Sequence, residues 1–237
     1  MVGFEAMDFE ERADYARWRS ALYGLASRAF LQEPTDEELA EMATAARQAL
    51  ADDRRNATGD AAGRWNLSCE KALLIHLAAL NDTEEDLGKR IRSEYAELFI
   101  GPRPPLAPLY ESMYVGHPRR LLTVVTQQVR DAYERSGLTP AKRNRVPDDH
   151  IGYELEFMAR LCEHEANAAE AGDAEEEWRW HGAQQRFLAD HLARWVEPFC
   201  ERVEEAPGTY YRGWAVFARD FAIEDECTIN AKNGAPL

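Results

Sequence analysis

Apolar side chains recur along most of this chain at intervals of three and four residues, the spacing that gathers them on one face of an α-helix. From Asp8 to about Leu31 the face consists of Tyr15, Trp18, Leu22, Leu25, Ala26 and Ala29, and Glu33-Pro34 stops the helix. Thr35 and Glu38 have capping-box spacing and open a second helix through Leu39, Met42, Ala46 and Ala49. A polar loop from Asp52 to Gly63 separates it from a third, capped by Ser68, whose residues Ala72, Leu73, Ile75, His76, Leu77 and Leu80 are apolar enough to be central, with His76 as a core histidine. Asp82 and Glu85 repeat the capping-box spacing before a fourth helix with Leu87, Ile91, Tyr95, Leu98 and Phe99, ended by Gly101-Pro102. A fifth passes through Leu121, Val125, Val129 and Tyr133 to Gly137, and a sixth runs from Asp149 to about Gly172. The seventh, Ala174 to Val196, turns Trp178, Phe187, Leu188, Leu192 and Trp195 inward, and Pro198 kinks it or opens the next segment. A last helix after Pro207-Gly208 buries Tyr210, Tyr211, Trp214, Phe217 and Phe221, and residues 228–237 read as a frayed tail. Eight or nine helices and no strand signal make the fold class all-α, a single globular helical bundle over residues 1–237.

Three stretches interrupt the pattern. Gly101 to Tyr114 holds four prolines, which forbid a helix, yet Leu106, Leu109, Tyr110, Met113 and Tyr114 make it too apolar for a linker. Such a loop is pinned to the core or lines a groove. Leu138 to Val146 is a basic connector, and with the residues to Asp149 it forms a candidate hinge between N- and C-terminal halves, compatible with a monomer or a domain-swapped dimer. In the third stretch Pro147 precedes Asp148, Asp149 and His150, and Ile151, Leu155, Met158 and Leu161 recur behind them. Either aspartate can cap this helix, which puts a histidine at an exposed helix start beside two carboxylates.

Charge narrows the function. With 28 basic and 43 acidic residues the net charge is −15, which repels nucleic acid and anionic lipid and attracts cationic partners. Cys69, Cys162, Cys200 and Cys227 are far apart and suit buried thiols in a reducing compartment better than disulfides or zinc. No apolar run approaches the ~18 residues of a membrane span and the acidic N-terminus is not a signal peptide, so a soluble cytoplasmic protein is expected. Phosphate-loop, dinucleotide-fold, nucleophile-elbow and zinc-protease patterns are missing, and no histidine has Glu three residues before it, as a di-metal bundle requires. His150 and Glu154, at i and i+4, are the one pair with metal-ligand spacing, although such a pair more often makes a hydrogen bond. No catalytic residue, metal or cofactor is expected, with a helical metal-dependent enzyme using His150 and Glu154 as the outside alternative.

The ordered pieces Tyr95-x-x-Leu98-Phe99-x-Gly101-Pro102, Ala107-Pro108-x-x-Glu111-Ser112-x-Tyr114, Pro147-x-Asp149-His150-x-x-x-Glu154-Leu155-x-Phe157-Met158 and Phe187-Leu188-x-x-His191-Leu192-x-x-Trp195-x-x-x-Phe199 resemble the motifs of the TorD/DmsD family. Leu109 and Tyr110 stand where many members have proline and tryptophan. The resemblance implies an all-helical cytoplasmic chaperone that binds the twin-arginine signal peptide and the apo-form of a molybdenum-containing redox enzyme, delaying export until cofactor insertion. The closest alternative is an assembly chaperone of nitrate-reductase type whose client is not exported. By resemblance Tyr95, Phe99, Glu111, Ser112 and Tyr114 form one wall of a peptide groove, and Pro147, Asp149 and His150 the other. Glu111 and Asp149 would meet the arginines, the aromatic rings would supply apolar surface, and His150 would orient the peptide. From the residues alone, Tyr95 and Phe99 fit core positions, and Asp149 can serve as cap and binding group together.

Overall fold

The computed structural model describes residues 8–56, 68–80, 86–101, 104–116, 120–139 and 146–231. Nine α-helical segments account for most of them: α1 Phe9–Leu31, α2 Asp36–Asn56, α3 Ser68–Ala78, α4 Leu87–Tyr95, α5 Val124–Arg135, α6 Ile151–Glu170, α7 Ala174–Phe187, α8 Ala193–Glu205 and α9 Tyr210–Ala231. The only strand-like feature among the described residues is an isolated bridge between Tyr110 and His150, so the fold is all-α. No helix among them is long and apolar enough to cross a membrane. The helices group into two compact units, one of Met1–Leu31, Leu109–Pro198 and Ala222–Leu237, the other of Gln32–Pro108 and Phe199–Phe221. The division falls within α8 and α9. The connector before α6 joins α5 to α6 inside the first unit, and its residues 140–145 lie outside the described residues, as do Asp82 and Glu85.

In the first unit α1 packs along α6, and α6 packs on α7. The interface is close because the residues that meet are small: Ala13, Ala16 and Ala26 of α1 are buried, as are Ala166 and Ala169 of α6. Gly152 is required at one end, since a Cβ there would lie 2.6 Å from Leu31 Cγ, while the Ser27 hydroxyl donates to its carbonyl at 2.8 Å. Within this apolar contact sits a charged group that periodicity does not reveal. Arg19 is fully buried; its Nε and Nη2 donate to the two oxygens of Asp225 at 2.7 Å each, Nη1 to Glu165 at 3.1 Å, and Nη2 also to Gln184 at 2.7 Å. The Tyr23 hydroxyl adds a 2.7 Å bond to Asp225, and the Gln184 amide one of 2.8 Å to Glu165. Burial opposes the charge on Arg19, but Asp225 and Glu165 outweigh it and hold its pKa above the ordinary value.

The second unit is built on capping and aromatic packing. Thr35 and Glu38 form the expected capping box, at 2.7 and 3.2 Å. The carboxylate of Glu94 accepts from the Tyr211 amide at 2.9 Å, where an anion also suits the N-terminal dipole of α9. Gly208, at φ 129°, permits this approach, since a Cβ there would lie 2.5 Å from Glu94 Cδ. After α4 the chain forms a π-helical turn, Ala96–Ile100, which turns Leu98 and Phe99 inward. His76 meets the Tyr210 carbonyl at 3.2 Å, as a satisfied histidine.

Several sequence expectations need correction. Helix α3 is not central: Cys69, Leu73 and Leu77 are buried, whereas Ile75 is 55% exposed. The start of α5 is Val124 with Thr123 as its cap; Leu121 lies before it on the surface, because Leu122 adopts φ 57° and breaks the helical path. Ala49 is exposed, and Trp178 points outward while Trp180 is buried against His164, ring centroids 4.3 Å apart. Pro198 lies inside α8, preceded by a π-helical turn, Leu188–Leu192. Thr228 to Ala231 complete α9, and the rest of the expected tail lies outside the described residues.

Replacing Arg19 with Ala leaves Asp225 and Glu165 buried without their cation. It should therefore cost about 3–5 kcal/mol, read as a lower urea midpoint of unfolding.

Candidate functional site

Two of the interrupting stretches meet in the first unit. The Glu111 amide donates to the Asp149 carbonyl at 2.9 Å and the Ile151 amide to the Leu109 carbonyl at 2.8 Å, a two-rung antiparallel pairing centred on Tyr110 and His150. Neither segment can be helical here, since both Tyr110 and His150 have extended backbone angles. Beyond the pairing the loop closes in a 3-10 turn, Glu111–Met113, and Asp149 Oδ2 accepts the Ser112 amide at 2.9 Å. Asp149 therefore does not cap α6, contrary to the sequence reading: it caps the loop. Asp148 is drawn the other way, to Arg130 at 2.5 Å, while its carbonyl accepts the Tyr133 hydroxyl at 2.9 Å.

The N-cap of α6 is His150, whose Nδ1 accepts the Gly152 amide at 3.1 Å. An accepting Nδ1 leaves the ring proton on Nε2 and the imidazole neutral. Burial between the rings of Tyr110 and Tyr153, 5.3 and 5.6 Å away, lowers the His150 pKa to about 4. The expected exposed helix start is therefore enclosed: Glu111, Ser112 and Asp149 are fully buried, His150 is 6% exposed and Pro147 is half-buried.

Behind the pairing lies a group of acids. Glu111 Oε2 is 3.0 Å from His191 Nδ1, and Glu154 Oε2 accepts the Trp195 indole N–H at 2.9 Å. The ring of Tyr114 packs 5.3 Å from Trp195. Burial and then the charge of Glu111 push the Glu154 carboxyl well above the usual range; burial also raises Glu111, against the lowering effect of His191. Glu111 Oε1 and Glu154 Oε1 both lack a hydrogen-bond partner while both carboxyls are ionised, but they lie within reach of one another. A proton kept on Glu154 satisfies both. Ser112 Oγ and Asp149 Oδ1 are further buried oxygens without a partner.

Of the eight residues expected to line a groove, Glu111, Ser112, Tyr114, Asp149 and His150 come together, with Pro147 beside them. Tyr95 and Phe99 do not join this arrangement. They belong to the second unit, where their rings pack at 5.1 Å and each meets Tyr211, at 5.4 and 5.1 Å. Sequence reasoning gave no role to His191 or Trp195 beyond their motif, although a histidine within Phe187-Leu188-x-x-His191-Leu192 is a polar signal on an apolar face. His150 and Glu154 face different partners, and among the described residues no group of three or more His, Cys, Asp or Glu side chains could hold a metal ion.

This all-helical chain with its loop-and-cap pairing has known relatives. The family described as nitrate reductase delta subunit matches residues 28–201, and the chain belongs to that family. The chaperone protein TorD of Aliivibrio salmonicida is 28% identical over 123 residues, 52% of this chain and 56% of that protein. The TorD of Vibrio cholerae O395 is 24% identical over 81% of this chain and 80% of its own. A selenate reductase assembly chaperone from Thauera selenatis is 30% identical over 63% of this chain and 72% of that protein. In the first of these matches the chain spans little more than half the relative's length. A solved structure of a proposed redox enzyme maturation protein from Archaeoglobus fulgidus aligns over 88% of this chain and 93% of that one, at 19% identity and a TM-score of 0.43.

The site has a pH signature of two opposing parts. The folded-state pKa of His150, about 4, lies below the ordinary 6.5, so its contribution is full above pH 6.5 and is lost as pH falls towards 4. Glu154 is raised, so its contribution is present at low pH and lost as pH rises through its folded value. His150→Asn retains a capping acceptor and should flatten the loss of stability between pH 6.5 and 4, while Glu154→Gln should flatten the opposite slope; urea unfolding across pH checks both.

Proposed function

We propose that this protein is a cytoplasmic chaperone, not an enzyme, that binds the twin-arginine signal peptide and the apo-form of a molybdenum-containing redox enzyme and delays its export until the cofactor is inserted. One observation carries the reading: the segments 109–114 and 147–158, which bear motifs like those of TorD/DmsD proteins, meet in one built arrangement of acids and aromatic rings, in a chain of this family. Relatives named as chaperones support it, as do the free cysteines, three of them buried, which suit a reducing compartment.

Burial alters how the recognition must work. Glu111 and Asp149 hold the loop from inside, so a client guanidinium meets them only when the 3-10 turn of Glu111–Met113 yields, and the half-buried Tyr110, Met113 and Pro147 offer the first contact. Ser112, Tyr114 and His150 then set the shape of the closed loop, and Tyr95 and Phe99 act as core. The family's description favours a second reading, an assembly chaperone for a nitrate-reductase-type subunit without a leader. A client that co-purifies from the native host and lacks twin arginines would select it.

Asp149 separates holding from recognition. Asp149→Asn keeps an oxygen for the Ser112 amide but removes the charge, and should weaken binding of a twin-arginine peptide at least about tenfold at nearly unchanged stability. Asp149→Ala should also cost about 1–3 kcal/mol of folding, as the buried amide loses its acceptor. Calorimetric titration and urea unfolding measure the two. Unchanged affinity in Asp149→Asn would leave the aspartate a purely structural role.

A further inference from the structure

The first unit carries a feature at odds with the net charge of the chain. A groove of about 670 Å³ opens beside α5 and α7, floored by Trp180 and Phe187 and lined by Arg135, Arg179 and Arg186, with Asp190 as its one acid. Three guanidinium groups thus gather in a protein of net charge −15. All three are exposed, and both rings are buried at its floor. Arg179 lies 4.0 Å over the Trp180 ring and is held there by Glu176 at 2.7 Å. Neither Arg135 nor Arg186 has an ion-pair partner among the described residues.

From this geometry we infer that the groove binds an acidic, extended segment of a partner polypeptide, with carboxylates about three residues apart and an apolar side chain between them. Arg179 and Arg186 are seven residues apart on one helix, hence two turns and about 10 Å along the groove. A chain in the extended polyproline II conformation turns once every three residues and advances about 3.1 Å per residue, so acids three residues apart lie on one face about 9 Å from each other and match that distance. A compact dianion such as a phosphate spans only one end of it. Trp180 and Phe187, each the residue directly after one of the two cations, line the groove and give the intervening side chain an apolar surface. The negative surface elsewhere repels long polyanions, so attraction is local and favours a short acidic stretch over nucleic acid. The groove borders the site of the proposed function at His191 but takes a different ligand, because its guanidinium groups repel a twin-arginine leader.

The test uses the full-length protein and a fluorescent ten-residue peptide with Glu at every third position and Leu or Phe between, followed by anisotropy. The acidic peptide should bind, and a control with Gln for Glu should bind at least about tenfold more weakly. Arg186→Glu and Arg135→Glu should each weaken binding by about tenfold or more with the far-ultraviolet circular dichroism unchanged, and Asp190→Asn should strengthen it. Arg28→Glu, an exposed reversal on α1, should leave affinity as it was. Equal binding of the Gln control, an equal loss in Arg28→Glu, no detectable binding at about 1 mM, or displacement of the peptide by equimolar inorganic pyrophosphate would each overturn the inference.

Discussion

The first unit is organised around one buried cation. Arg19 brings a charge into the contact between α1 and α6, is fully enclosed, and reaches α6 through Glu165, α7 through Gln184 and α9 through Asp225. Exchanging such a cluster for well-packed apolar residues is often neutral or stabilising, so its value is not simple glue. Its geometry is demanding: the planar guanidinium meets Asp225 with two parallel bonds, and the remaining donors have fixed directions. Four helices that satisfy them can sit in few registers. The position of the start of α6, and hence of His150, follows from that register.

The loop-and-cap pairing is a second polar arrangement on the same helix. Three carboxyls, of Glu111, Asp149 and Glu154, lie buried there, each using one oxygen on a neighbouring residue. Enclosing three anions together is costly, and a proton retained by Glu154 relieves part of that cost. His191 and Arg194 act in the same direction on Glu111, whose carboxyl burial alone would push further up.

Repetition made much of the fold legible in sequence. The faces of α1, α6 and α9, the Thr35 and Glu38 capping box, and the stop at Gly172 all follow from local spacing and local hydrogen bonds. Where local rules failed, a nonlocal partner or a backbone departure had intervened. Asp149 has the chemistry of a cap, but the Ser112 amide, 37 residues away in sequence, takes its oxygen and leaves capping to His150. Leu121 fits the apolar period of α5, but the positive φ of Leu122 places it outside the helix. Trp178 and Trp180 are indistinguishable by hydrophobicity; the ring of His164 on α6 stacks on the second.

The amino-acid sequence by itself determined that the protein is all-α, roughly where most of its helices lie, and which short stretches refuse to be helical, because period, capping and proline geometry act within a few residues. It also contained the ordered motifs that point to the family. Only the tertiary structure decided which side of those motifs faces water. Burial depends on what packs over a residue from elsewhere in the chain, so Tyr95 and Phe99 became core of one unit, while Glu111, Asp149 and His150 became an enclosed knot in the other. The pairing of Arg19 with Asp225, 206 residues apart, is decided in the same way, by contacts that no local spacing encodes.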